Sequence, residues 1–295
     1  MAKKTVNKSP LGEVFGFPIE NDNSKAQRYR KQKLCPYNNK VPNCTKDKAN
    51  NPLGVCSVWH NGTSVITCPT RFREDWLIIE QAAEFAFGKK ANWTSLSEIK
   101  LVDKNGQSAG NIDFVLVQYN DKGQLIDFAS LEVQGVYISG NLRNPFEAYM
   151  KKPSKDFEWP SGYNYPKPDY LSSSRKRLIP QMLYKGGIFQ SWKKKQTVAL
   201  QKSFFETLPS LPTTTKPKAD IAWFLYDLVF DKQLKQNNLV LTETIYTEFE
   251  PALLRVTTPE PGDIFDFINI LQTRLDEHLD KNPPDAPSLT DIISS

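Results

Sequence analysis

Hydrophobic and polar positions contrast most sharply between Asn111 and Ile138, where two runs rich in β-branched and aromatic residues flank Asn120-Asp121-Lys122-Gly123. A turn signal between two such runs predicts an antiparallel hairpin. Ile112, Phe114 and Leu116 alternate with Val115 and Val117 on the first strand, and Leu131 and Val133 share the second with Phe128 and Val136. Apolar residues on both faces mark a sheet interior. Pairing Tyr119 with Gln124 would put Asp113 opposite residue 130 and diagonal to Glu132. Upstream, Trp76, Ile79, Ala83, Ala86 and Phe87 recur at helical spacing, with Gly88 as the stop.

Other stretches are less regular. Residues 1–24 read as a poorly ordered arm with a short apolar patch, and residues 89–110 as a polar connection with an edge strand at 99–102. Repeated prolines make residues 141–174 an irregular insertion or a loop over the active face. Ser172, Ser173 and Ser174 predict the N-cap of a helix with three bases in its first turn, a sign opposed to the helix dipole that points to an external anion. Residues 219–230 and 239–249 read as strands, and residues 263–279 as a terminal helix with Ile264, Phe267, Ile268, Leu271 and Leu275 on one side. Strands and helices in this order predict an α+β fold with a mixed central sheet flanked by helices.

Composition narrows the class. A chain of 295 residues, 39% hydrophobic and 24% charged, can bury one large core and a small appendage. A net charge of +5 permits nucleic acid as a partner without demanding it. No apolar run reaches membrane-spanning length and the N-terminus has no signal-peptide core, so a cytosolic protein is expected.

The chemistry begins inside the hairpin. Asp113, Glu132 and Gln134 stand in otherwise apolar strands, where carboxylates are costly unless a cation or partner compensates them. A pair of carboxylates a few ångströms apart suits Mg²⁺, and an Asp followed by Glu-x-Gln in register favours that reading over a strand cap and a stray ion pair. Glu80, on the preceding helix, is a further acidic candidate beside its alternative as a solvent-facing residue.

All four cysteines, Cys35, Cys44, Cys56 and Cys68, fall within a stretch rich in Asn, Pro, Gly and Lys that could scarcely form a core unaided. In a reducing compartment they point to one tetrahedral thiolate site whose metal adds folding free energy. Residues 25–48 add eight bases interleaved with Tyr29 and Tyr37, which suits either a phosphate backbone or a solvated face. Arg175, Lys176, Arg177, Gln181 and Lys185 are the candidates for DNA contacts, Arg being suited to guanine.

Ile112-Asp113 followed by Glu132-Val133-Gln134 resembles the PD-(D/E)xK nuclease core, with Gln134 where that pattern has lysine. Together with the cysteine stretch running into Arg71-Phe72-Arg73-Glu74-Asp75 and the SSSRKRLIPQMLYKGG segment, the chain resembles the NotI family of type II restriction endonucleases. That resemblance implies a structural iron on Cys35, Cys44, Cys56 and Cys68, although coordination chemistry alone admits zinc. It implies a catalytic set of Asp113, Glu132 and Gln134 using Mg²⁺. It also implies a homodimer in the bacterial cytoplasm that cuts double-stranded DNA at GC-rich palindromes and leaves 5′ overhangs. A metal-binding region at residues 1–70 would precede a nuclease domain at residues 71–295. The competing reading is a non-catalytic DNA-binding protein with the same thiolate metal.

Overall fold

The predicted hairpin lies inside a six-stranded mixed sheet in the computed structural model, which describes residues 9–38, 41–48, 50–159 and 165–281. In chain order the early strands are β1 (Leu11–Val14), β2 (Phe17–Pro18), β3 (Asp47–Lys48), β4 (Asn51–Pro52), β5 (Val55–His60) and β6 (Thr63–Ile66). The later ones are β7 (Trp93–Val102), β8 (Ser108–Tyr119), β9 (Leu125–Gln134), β10 (Ile138–Ser139), β11 (Lys167–Pro168), β12 (Gln196–Gln201), β13 (Ile221–Asp231) and β14 (Gln236–Thr247). The large sheet runs β14-β13-β12-β9-β8-β7, with β12 parallel to both β9 and β13 and the other pairs antiparallel. A second, four-stranded sheet runs β2-β1-β5-β6.

The hairpin differs from expectation in register. Tyr119 pairs with Leu125 and Gln118 with Asp127, so a bulge lies beside the turn, and from there Phe114 pairs with Leu131. A bulge inserts one residue on one strand and shifts every partner beyond it. Continued by one position, the register sets Asp113 opposite Glu132, two places beyond residue 130: the turn closes on Leu125 where Gln124 was expected, which shifts the partners by one, and the bulge adds the second.

After a first helix, α1 (Ser24–Gln32), helix α2 (Leu77–Phe87) follows the predicted spacing and covers one sheet face. Its Ile78, Ile79, Ala82, Ala83 and Phe85 pack with Phe114, Leu116, Leu131, Val133, Ala222 and Phe224. The opposite face meets a helical run over residues 170–191, through Leu178, Met182 and Phe189. Alternation along β9 sends Leu131 and Val133 toward α2, and Ser130, Glu132 and Gln134 the other way.

Residues 11–18 are not an arm. Leu11, Val14, Phe15 and Phe17 are buried and their strands complete the smaller sheet, because the intervening Gly16 takes a left-handed φ of 84° that closes the turn. Residues 93–102 likewise form a full edge strand. Within the proline-rich insertion, α3 (Arg143–Lys151) is a regular helix that buries Phe146 and Tyr149. A further helix, Phe249–Thr257, comes after β14.

The helical run 170–191 starts earlier than the serines suggested. Asp169 is the N-cap, its side chain accepting from the Ser172 N–H, so Arg175, Lys176 and Arg177 lie in the second turn. Pro180 would break an ordinary helix because it lacks an N–H and crowds the carbonyl four residues back. Here Ser174–Leu178 widens into a π-turn in which the Ile179 N–H reaches Ser174 O, and Met182–Gly186 forms a second one.

Met1–Thr257 and Thr258–Ser295 form two compact units. The described part of the second is the helix Ile264–Lys281, on which Ile264, Phe267, Ile268, Leu271 and Leu275 are all exposed. Among the described residues no helix is long and apolar enough to cross a membrane.

Candidate active site

The β8–β9 ladder stops at Phe114 and Leu131, and Asp113 takes over with its side chain: Oδ2 accepts the Val133 N–H at 2.8 Å. Glu132 is largely buried: its Oε2 faces the Lys185 ammonium at 2.7 Å, and its Oε1 has no hydrogen-bond donor among the described residues. Burial, then the neighbouring Asp113 charge, pushes the Glu132 carboxyl up to about 8. Burial also raises Asp113, against the Val133 N–H, Lys185 and Arg73, which favour its charge. Two buried acids that cannot both ionise cheaply match the oxygen donors and negative potential that a small divalent cation would relieve.

Gln134 is buried on the same strand, and its amide Nε2 donates to Gly135 O at 2.7 Å. The structure thus brings Asp113, Glu132 and Gln134 to one face of the adjacent interior strands β8 and β9. Glu80 does not join them: it is exposed on α2, and α2 covers the sheet face opposite to the one Glu132 points from. Of the two readings open for Glu80, the solvent-facing one describes its place in the structure, because alternation along β9 turns the acids to the other face.

The acidic residue near Asp113 comes from β7. Glu98 lies between Ser97, which pairs with Phe114, and Ile99, which pairs with Ile112, and its charge raises Asp113. Its φ of 57° is left-handed within a strand, a conformation costly for a residue with a side chain. No pattern around Glu98 distinguishes it in the sequence, since its partner is set by the sheet.

Of the five DNA-contact candidates, Arg175, Lys176 and Arg177 are exposed on the 170–191 helix, Arg177 over the Tyr137 ring at 4.8 Å, and Gln181 is partly exposed. Lys185 is placed differently, with 7% of its surface accessible. Its Nζ lies 2.7 Å from Glu132 Oε2 and donates to Asn111 O at 2.8 Å. The basic stretch at residues 25–48 is also thinner outside than its composition suggests. Arg30 is buried and donates to Asn21 O and Pro18 O, and Lys46 donates to Val55 O and Thr67 Oγ1.

Cys35, Cys44, Cys56 and Cys68 converge on one cavity of about 20 Å³, bounded also by Phe15 and Leu53. All four thiols are free. Burial, with adjacent thiol groups, lifts Cys35 to about 11, and Cys44 and Cys56 are raised for the same reason. Four soft donors crowded together, with burial opposing the ionisation of Cys35, Cys44 and Cys56, fit a bound cation. Among the described residues, however, no three His, Cys, Asp or Glu side chains already stand as a metal shell.

Beside this region is a buried ion pair. Arg71 Nε lies 3.0 Å from Glu13 Oε2, with both side chains fully buried. Arg71 also donates to Asn237 O and stacks over the Tyr37 ring at 4.4 Å. It ties the smaller sheet to β14 and to the turn that leads into α2.

No curated protein matches the chain. A family model described as restriction endonuclease NotI matches residues 14–240, a span that contains the four cysteines, the acidic hairpin and the 170–191 helix. The chain therefore belongs to the NotI restriction endonuclease family.

Proposed function

We propose that this chain is a Mg²⁺-dependent type II restriction endonuclease. As a homodimer it cuts double-stranded DNA at a short GC-rich palindrome and leaves 5′ overhangs with 5′-phosphates. The observation that carries this reading is the Asp113–Glu132 pair, two carboxyls buried together in the central sheet with one cation, Lys185, against Glu132 Oε2. Membership of the family supplies the reaction class.

Asp113 and Glu132 would hold the ion, which when bound polarises a phosphoryl oxygen and acidifies a water. The Val133 N–H keeps the Asp113 carboxylate turned toward the second strand. Gln134 has its amide nitrogen committed to Gly135, leaving its amide oxygen to orient a water. Arg175, Lys176 and Arg177, exposed along one helix, are suited to phosphate and guanine contacts, with Gln181 beside them. The four thiols would hold one iron or zinc that braces residues 1–70 against the nuclease domain. A two-fold dimer would apply one such site to each strand.

The test is incubation of purified protein with a complex, unmethylated DNA and Mg²⁺, with Asp113→Ala alongside, followed by sequencing of the ends. Discrete fragments sharing one terminal sequence, absent with the variant, are expected. No cleavage by folded, metal-loaded protein would leave a DNA-binding protein without catalysis.

A further inference from the structure

The strand position that carries a lysine in the wider nuclease pattern holds Gln134, an uncharged amide bonded to the adjacent backbone. The cation beside the acids arrives instead from the other side of the cleft. We propose that Lys185 is a catalytic residue of this site, its ammonium holding the attacking water and the scissile phosphate from the 170–191 helix in place of a strand lysine. This rests on the nuclease reading above.

Lys185 is placed for that task by local structure. It sits within the second π-turn, Met182–Gly186, and one inserted residue rotates the remainder of the helix by roughly 100° around its axis. Its aliphatic chain runs past Gly110, where a side-chain carbon would come within 3.8 Å of Lys185 Cδ. An ammonium has three donors. Among the described residues two acceptors are in reach, Asn111 O and Glu132 Oε2, so one N–H remains for a third. A cavity of about 20 Å³ lies against Lys185 and Glu132, lined also by Ser130, Gln181 and Gln196, with room for about one water.

A purely structural ion pair is a poor account of this arrangement. Burying two charges costs desolvation that an apolar pair of similar volume avoids. Charged groups kept in a cleft at that cost usually act on a ligand. In the hydrolysis Lys185 neither gains nor loses a proton. The water gives a proton to solvent and its oxygen bonds phosphorus, while the P–O3′ bond breaks and the 3′ oxygen takes a proton from solvent. The ammonium opposes the negative charge that grows on the water oxygen and the phosphoryl oxygens.

The experiment uses the full chain and a duplex bearing the sequence found by end sequencing. For Lys185→Met, the single-turnover cleavage rate in Mg²⁺ is expected to fall roughly 100-fold. Affinity for the same duplex in Ca²⁺ should stay within about threefold of the parent. The double variant K185M/Q134K, which returns a lysine to the strand two residues after Glu132, is expected to regain cleavage to within about tenfold of the parent. A structural role at position 185 would not be restored from position 134. If K185M does not fold, the double variant decides alone, since its strand lysine still compensates Glu132. The proposal is overturned if folded K185M cleaves within about threefold of the parent, or if its defect lies wholly in duplex affinity. A folded but inactive double variant, or failure of both to fold, also overturns it. Parent protein that cleaves no DNA removes the nuclease reading itself, whereas parent cleavage with unaffected K185M removes only the role of Lys185.

Discussion

Metal binding at the acidic pair should compete with a proton on Glu132. The folded, metal-free chain holds that carboxyl at about 8 against an ordinary value of 4.5, a gap of about 5 kcal/mol between its protonation states. The pKa is raised, so the folded state keeps a proton that the unfolded state has lost. The contribution of Glu132 to the stability of the metal-free protein is therefore greatest below pH 4.5 and declines as pH rises toward 8. Magnesium requires the carboxylate and runs in the opposite sense. Its apparent affinity should drop about 50-fold between pH 8 and about pH 6, with about one proton released per ion near neutrality. Isothermal titration of Mg²⁺ into the metal-free protein, repeated in buffers of different ionisation enthalpy, measures both quantities. Glu132→Gln, which mimics the protonated form, should abolish binding while leaving the metal-free fold intact at neutral pH. An affinity that is flat over this window, or binding without proton release, would refute the reasoning.

Named contacts set four further outcomes. Arg71→Met strands Glu13 as a buried, unpaired charge and should cost about 3–5 kcal/mol in urea unfolding, less when combined with Glu13→Gln. Cys56→Ser removes one of four convergent thiols, so elemental analysis should find iron or zinc falling from about one per chain toward none, with a lower Tm. Glu80→Ala lies on the wrong face of the sheet to matter, and should leave stability within about 0.5 kcal/mol and Mg²⁺ affinity unaltered. Arg177→Ala should weaken duplex binding and, if the contact is to phosphate, reduce the salt slope of log affinity by about one.

Where local pattern and tertiary packing agreed, the chain was legible. Helix α2 begins and ends near its predicted limits because its apolar spacing and Gly88 act within a few turns. The strands at 221–231 and 236–247 are long enough for their β-branched and aromatic content to outweigh alternatives. Misreadings fell where a distant partner decided the outcome. Residues 11–18 are too short to declare themselves as strands until β5 pairs with them. The 170–191 helix survives Pro180 only through a π-turn, which leaves no local mark beyond the proline itself.

The site divides along the same line. The sequence by itself determined which residues are the candidates for chemistry: Asp113 and Glu-x-Gln at Glu132 in apolar strands, and four cysteines in a segment too polar to fold unaided. Those signals survive because a buried carboxylate or a cluster of thiols is costly wherever it lies along the chain. Tertiary structure alone decided which of them meet. The turn register and one bulge together bring Asp113 opposite Glu132, strand alternation leaves Glu80 on the other face, and the 170–191 helix carries Lys185 to 2.7 Å from Glu132. Sheet register and helix phase are properties of pairing and packing between segments, so no reading of one segment contains them.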